Sequence, residues 1–535
     1  MKMKKLSPRA AFSICIGITV TLILLTRILT IAHNMYLHPD EGVFFRSTQR
    51  LVNYLLGTSS SYDPVKKYPE GTFVFHAPFQ MLFRLFSMTD RQGIQLSGRA
   101  ASIFYFSIGV VLGFLLLRRW FGSCLRISVI YGLTMVFSLF HLEQSRYGTS
   151  DPLSFMLLML TLLLSSLIYE QKGNRFILLI LEGIVCGFLA SLKYTLLYFC
   201  LFPLFAAIRT SKSGSEKIVA AELVLLFTAA GFFMTSPKTL SDISFISQTI
   251  DSEWTSYLVD GNPTEVGEWH NHILSVLIYM TLYSGLLGGP LLAVPLFNKK
   301  TEPKTNVTVL WKIEIPLIVF GFFLINIFSK TLFMRSFYLL ACIIDLYASA
   351  GLSRIIGAST NNKKRKWISI ALLVITCMRG GYFFTLLTDN SSDAVLQQAI
   401  QNTEGEDWAH TTILGPGRVY LLNFNKEDLK DLWEIDLDNG AFNAPESLLL
   451  RPGEMVITGT LDYSKCAPYF FPISNQRAIK RIDRWQKYKT INSEYLRFRI
   501  YPEWWYHLFG FWIKGSTGTD YEFPTNYIFY RPQNP

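Results

Sequence analysis

The stretch His38-Pro39-Asp40-Glu41 follows directly on a long apolar run, Ala10 to Ala32. About 20 apolar residues cross a bilayer as a helix, so that run is long enough to span. Lys2, Lys4, Lys5 and Arg9 stand before it. By the positive-inside tendency this end stays in the cytoplasm, which brings Asp40 and Glu41 out at the external face beside the headgroups. Two adjacent carboxylates there could take a proton from a hydroxyl or hold a divalent metal. They also suit a helix start, with Asp40 as N-cap and Glu41 in the first turn. The two roles are compatible. Phe44, Leu51, Val52, Leu55 and Leu56 follow at helical spacing, as on a helix lying at a membrane surface.

The rest of the chain decides the context. It has 535 residues, 50% hydrophobic and only 17% charged, too apolar for an ordinary soluble enzyme. The apolar residues fall in long blocks, which predicts a polytopic helical membrane protein with one soluble portion. The net charge of +11 does not imply nucleic acid, because many basic residues sit in short clusters between apolar blocks. Five of the seven cysteines lie in apolar runs, Cys124 in a turn, and Cys466 alone in the soluble portion. No zinc spacing occurs. The first apolar run is too long for a signal-peptide core and reads as an uncleaved span.

About eleven spans are expected. After the first, the polar run Thr58 to Lys67 and the aromatic stretch Phe73 to Phe86 place two surface helices in one large outer loop. Further spans are expected over Gly98 to Leu117, Ile127 to His141, Leu153 to Tyr169, Phe176 to Ser191, Tyr194 to Ile208 and Ile218 to Thr235. Four more follow over His272 to Phe297, Val309 to Phe328, Ser336 to Leu352 and Trp367 to Leu387. Keeping Phe176 to Ile208 as a hairpin puts Arg209, Lys212, Lys217, Lys299, Lys300, Lys304 and the run Lys363 to Lys366 all inside. Residues 1–387 thus form the membrane domain and 388–535 a small extracytoplasmic α/β domain. In the latter, Ser392 or Asp393 caps a helix through Thr403, and Ser474 to Thr490 reads as a basic helix. Gly417 to Phe424, Met455 to Gly459, Tyr495 to Tyr501 and Tyr527 to Tyr530 read as strands.

Sorted by side, Asp40, Glu41, His76, Arg99, Glu143, Arg146, Asp151, Lys193, His270, Lys330 and Arg335 belong to the outer half. Each has a plain alternative. Lys193, Arg99 and Arg335 could snorkel to the interface, as could Arg27. Asp151 suits a helix cap, and Arg146 could pair with Glu143. Jointly, carboxylates and cations at one face suit transfer of a sugar from a phosphate: a base removes the acceptor proton, and cations or a metal stabilise the leaving phosphate.

These stretches resemble the membrane-embedded GT-C superfamily of glycosyltransferases that use polyprenyl-phosphate sugars. Within it the nearest resemblance is to the protein O-mannosyltransferases, the lipid A aminoarabinose transferases and the Rgt-like enzymes. The match rests on His38 to Glu41, on Tyr68 to Phe86 with Ser97-Gly98-Arg99, and on Arg146-Tyr147 with Asp151. Ser191-Leu192-Lys193-Tyr194 and Met334 to Tyr338 complete it. Pro69-Glu70 replaces the usual double proline, and Ser336 stands where Tyr or Phe is common.

The resemblance implies an inverting glycosyltransferase of the bacterial inner membrane. Asp40 would be the general base, and Glu41 would orient it or the sugar. Lys193, Arg146 and Arg335 would hold the donor phosphate, with Arg99 and His76 also at the substrate. Asp151 would contact the acceptor or a metal, Asp40 being the other candidate metal ligand. The partners would be a polyprenyl-phosphate-linked sugar and a lipid, glycan or protein acceptor, with no nucleic acid. The rival classes are a transporter or flippase of lipid-linked sugars and a noncatalytic membrane assembly protein. Charges gathered at one face, with no internal repeat, speak against transport.

Overall fold

The structure is a computed structural model. It describes residues 7–33, 41–66, 68–88, 91–122, 124–254, 284–297, 306–327, 334–357 and 363–389, with isolated positions between 273 and 282. In the last part it describes 411–414, 455–460, 485–492, 498–499, 520–521 and 526–532. Asp40 therefore lies outside the described residues, as do the expected helix from Ser392 and the strand Gly417 to Phe424.

Helices dominate. α1 is Pro8–His33, α2 Glu41–Leu55, α3 Gly71–Leu85, α4 Arg91–Phe121, α5 Leu125–Phe137 and α6 Leu139–Gln144. α7 is Asp151–Tyr169, α8 Arg175–Leu192, α9 Leu201–Thr210, α10 Gly214–Met234, α11 Pro237–Ser241 and α12 Ser244–Trp254. Later come α13 Gly289–Ala293, α14 Val307–Ile327, α15 Tyr338–Gly357 and α16 Lys363–Asp389. Seven of the described helices are long and apolar enough to cross a membrane. The expected third and sixth spans are shorter apolar helices, Leu125–Phe137 and Tyr194–Thr210, and the eighth is described only in part. Eleven full-length spans are thus not reached among the described residues.

The hairpin expected at Lys193 forms. α8 ends there because Lys193 is extended (φ −151°, ψ 128°), and a 3-10 helix, Tyr194–Cys200, leads back into α9. α8 and α10 pack unusually closely. A methyl added to Gly187 would lie 2.2 Å from Thr228 O, and one added to Gly231 would lie 2.3 Å from Ile184 O. Gly183 and Gly187 make a G-x-x-x-G face, the spacing that lets membrane helices approach backbone to backbone.

Two helices expected to be continuous are interrupted. α5 stops at Phe137 and α6 resumes after Ser138. Arg27 supplies the end: its Nη1 donates to Val136 O at 2.8 Å and its Nη2 to Met135 O at 2.9 Å. Arg27 is fully buried, so it does not snorkel. The second break, Ser284 to Gly288, includes Gly288 at φ 75°. Side chains satisfy its freed backbone groups, as the bilayer interior demands. Asp345 accepts from Leu286 N at 2.8 Å, Thr376 from Leu287 N at 3.0 Å, and Ser138 donates to Ser284 O at 2.9 Å.

The last part holds a four-stranded sheet in the order β1-β2-β6-β3, with β1 Thr411–Leu414, β2 Met455–Thr460, β3 Trp485–Asn492 and β6 Asn526–Pro532. β4 (Phe498–Arg499) pairs with β5 (Asp520–Tyr521). The basic helix expected over Ser474 to Thr490 is corrected: from Trp485 the chain is a strand, antiparallel to β6. Its Tyr, Thr and Ile suit a pleated surface, and cross-strand pairing outweighs the helix preference of its lysines.

Candidate active site

Glu41 opens α2, as the acidic motif predicts, but its carboxylate points inward. Oε1 accepts from Arg99 Nε at 3.0 Å and from Gly148 N at 2.6 Å, and Oε2 accepts from Arg99 Nη2 at 2.9 Å. The two side chains are 0% and 1% exposed. This bidentate, buried pair fixes the start of α2 against α4 and the turn before α7. The polar ends of Glu41 and Arg99 meet each other, so Arg99 does not snorkel to the interface.

Arg146 is also buried. Its guanidinium lies 4.6 Å from the centre of the Tyr147 ring, and Nη2 donates to the Tyr147 hydroxyl at 2.7 Å. Arg99 approaches the same ring at 5.9 Å. Tyr147 thus stands between two guanidinium groups, each a cation–π partner. Burial pushes its phenol up to about 12, with Arg146 pulling it partly back, so it stays protonated at neutral pH.

The turn from Ser145 delivers Asp151 to the first turn of α7, followed by Pro152. Ser150 is the N-cap and makes no side-chain cap bond. Asp151 reaches across to the end of α8, where Lys193 Nζ donates to its Oδ1 at 2.6 Å. Asp151 is nearly buried and Lys193 is a quarter exposed. Sequence order put both residues at the outer half; the structure brings them into contact over 42 positions.

The pair forms one wall of a small cavity that is partly open to solvent. Ser154, Thr195, Asn326 and Ser336 add polar groups, and Leu196, Phe322 and Leu339 an apolar side. Ser336 comes from the 3-10 turn Met334–Phe337, which also carries Arg335. Only the backbone of Arg335 is described. An anionic head and an apolar tail would each find a matching wall here.

His76 does not join this cavity. It lies on α3, stacked on Tyr105 with ring centres 6.3 Å apart, and neither ring nitrogen has a hydrogen-bond partner. Burial pushes its pKa down to about 4, so the ring is neutral at pH 7. Ahead of α3, Glu70 accepts from Lys238 N and Thr239 N, both at 2.8 Å, and so holds the start of α11 to the loop before α3.

The sequence reading missed several groups. Ser154, Thr195 and Asn326 carry no motif, although a lone Asn in the run Val309 to Phe328 is a polar residue within a span and so a signal. It also missed the acidic residues inside spans. Glu182, midway along α8, bonds Ser165, and Asp345 Oδ2 lies 2.8 Å from His141 Nε2. Charge is therefore not confined to one face, which corrects the argument drawn from sidedness. As for a metal, no three His, Cys, Asp or Glu residues group closely enough to hold one among the described residues. Asp151 is engaged by Lys193, and Asp40, the other candidate ligand, lies outside the described residues.

No protein-family model matches the chain, and no curated protein matches it. Among solved structures, it is similar to ArnT from Cupriavidus metallidurans bound to undecaprenyl phosphate. The identity is 14% and the TM-score 0.49, covering 85% of this chain and 95% of that one. It is also similar to the archaeal oligosaccharyltransferase AglB from Archaeoglobus fulgidus in complex with an inhibitory peptide and a dolichol-phosphate. There the identity is 13% and the TM-score 0.43, covering 77% of this chain and 63% of that one.

Proposed function

We propose that the chain is a membrane glycosyltransferase that moves a sugar from a polyprenyl-phosphate carrier to an acceptor hydroxyl at the outer membrane face. The observation that carries this reading is the two-sided cavity at the Asp151–Lys193 pair. A lysine held by a carboxylate still has N–H donors to offer a phosphate. The apolar side suits the first isoprene units. The GT-C resemblance of the motifs that meet here supports the same assignment.

In this reading the acceptor oxygen attacks the anomeric carbon as the bond from that carbon to the phosphate oxygen breaks. The electron pair leaves with the phosphate, which passes from one negative charge toward two. Lys193 sits where that charge grows, and a fixed cation there stabilises the transition state more than the ground state. Asp40, the residue before the locked Glu41, takes the acceptor proton. Attack opposite the leaving group inverts the anomeric centre. No step is assigned to a metal. Residues 388–535 would form an extracytoplasmic unit that meets the acceptor.

The interrupted segment Ser284 to Gly288 and the acidic groups within spans favour a second reading, a transporter of lipid-linked sugars. Mutation separates the two. Asp40→Asn should abolish sugar transfer in a membrane assay with a polyprenyl-phosphate sugar while expression stays normal. Full activity in that variant removes Asp40 as the base.

A further inference from the structure

Three helices bring basic ends together. Arg27, near the end of α1, bonds Met135 O and Val136 O near the end of α5, and Gly380 of α16 lies against Phe137 O. α1, α5 and α16 pack against one another. They therefore run in the same direction, and their first turns sit at one end of the bundle. Those turns carry Arg9, Arg126 and the run Lys363 to Lys366, all exposed, and no acidic residue. A helix N-terminus is the positive end of the macrodipole, so these cations add to its charge where an acidic residue would offset it.

The neighbouring helices fix which end this is. Arg118, in the last turn of α4, lies over the Phe12 ring near the start of α1, and Trp120 Nε1 donates to Ser166 Oγ near the end of α7. Asp151 opens α7, so the donor cavity is at the opposite end. Glu170 and Glu216 stand at the basic end, but Glu170 pairs with Arg119 and Lys172, and Glu216 with Arg175.

Next to the cations the same helices turn apolar side chains outward. Ile14 and Ile18 of α1, Val129 of α5, and Trp367 and Ile368 of α16 are all exposed. A Trp directly after a basic run suits the boundary between headgroups and acyl chains. A partner has to satisfy both halves. Free phosphate would meet the cations and leave the apolar side chains bare. A zwitterionic lipid would cover the side chains and add a cation of its own. An anionic phospholipid does both, and basic clusters beside a membrane helix attract such lipids.

We propose that the joined ends of α1, α5 and α16 bind an anionic phospholipid in the leaflet opposite the donor cavity. Its phosphate meets Lys363 to Lys366 with Arg9 and Arg126, and its acyl chains run along the exposed side chains beside them. By the positive-inside tendency this is the cytoplasmic leaflet. The lipid supplies the negative charge that the three helix starts lack. The site is separate from the sugar-transfer reading and stands or falls without it.

The test titrates lipid into the full-length protein in a neutral detergent and follows thermal protection. The probes are phosphatidylglycerol, phosphatidylcholine and glycerol phosphate, the last carrying the anionic head without chains. The expected result is saturable protection by phosphatidylglycerol that weakens with added salt, and little by the other two. Lys363→Gln, Lys364→Gln and Lys366→Gln combined should weaken it by roughly tenfold or more. Lys172→Gln, Lys212→Gln and Lys217→Gln, which remove as many cations from the turns before α8 and α10, should leave it unchanged. Lys364→Gln alone, one exposed position, should weaken it several-fold and keeps the test decisive if the triple variant inserts poorly. Binding of polyprenyl phosphate should be the same in every variant. Equal losses in the two triple variants overturn the site, because total charge alone then governs lipid binding. Equal protection by phosphatidylcholine also overturns it, as does equal protection by glycerol phosphate, which would make it a site for free anions.

Discussion

Lys193 Nζ lies 2.6 Å from Asp151 Oδ1, which joins the end of α8 to the first turn of α7. Each group holds the other in the cavity wall. Lys193→Ala should therefore weaken polyprenyl phosphate binding by roughly 30-fold, on the order of 2 kcal/mol, the lower end for losing one partner of such a pair. Asp151→Asn keeps a hydrogen bond to the amine and should cost less. Titration of the lipid phosphate into purified protein reads both, and equal affinity in all three proteins would show that the lipid head binds elsewhere.

The Glu41–Arg99 pair makes a different kind of prediction. Removing one partner of a buried, bidentate pair leaves a bare charge and costs about 3–5 kcal/mol. Glu41→Ala should accordingly lower the melting temperature sharply and abolish transfer, since the start of α2 is no longer fixed. Glu41→Leu combined with Arg99→Met should regain much of the stability and none of the activity. A double-mutant cycle by thermal unfolding measures the coupling.

The α8–α10 contact has no room for side chains. Gly187→Leu should prevent the close approach, and Gly187→Ala should cost about 1–3 kcal/mol as an overpacked site. Both are read as reduced yield of folded protein in membranes. At Gly17, where an added methyl meets nothing within 4 Å, the same change should be silent.

His76 gives a pH prediction. Its pKa falls from 6.5 to about 4 in the folded protein because burial disfavours the charged ring. The unfolded chain therefore binds the extra proton first. This stability is fully present above pH 6.5 and is lost as pH falls toward about 4. The whole effect is worth about 3 kcal/mol, and His76→Phe should flatten that part of the profile. Thermal unfolding between neutral and mildly acidic pH measures it.

Some of this architecture was readable in the chain. Lys193 ended a short apolar run between basic clusters, so charge bookkeeping assigned it to the same half as Asp151, and the structure brings the two into contact. The Glu41–Arg99 contact was not readable, because nothing local pairs residues 58 positions apart. Arg27 looked like a snorkelling residue because it sits near a span end; only the neighbouring interruption at Ser138 explains its burial. Gly288-Gly289-Pro290 was a breaker signal inside an apolar run, yet apolarity read it through as one span. Gly183-x-x-x-Gly187 likewise carried a packing signal that hydropathy does not weigh. Trp485 to Asn492 went the other way, since its lysines favoured a helix and its partner strand lay some forty positions downstream, at Asn526–Pro532.

The measurement that bears most directly on the central claim follows a labelled sugar. The full-length protein in sealed vesicles would be given a polyprenyl-phosphate sugar carrying the label, together with an envelope extract as acceptor. The account predicts that label leaves the lipid for the acceptor, that polyprenyl phosphate appears in equal amount, and that both stop with Asp40→Asn. Label that stays on its lipid and crosses to the opposite leaflet would contradict it.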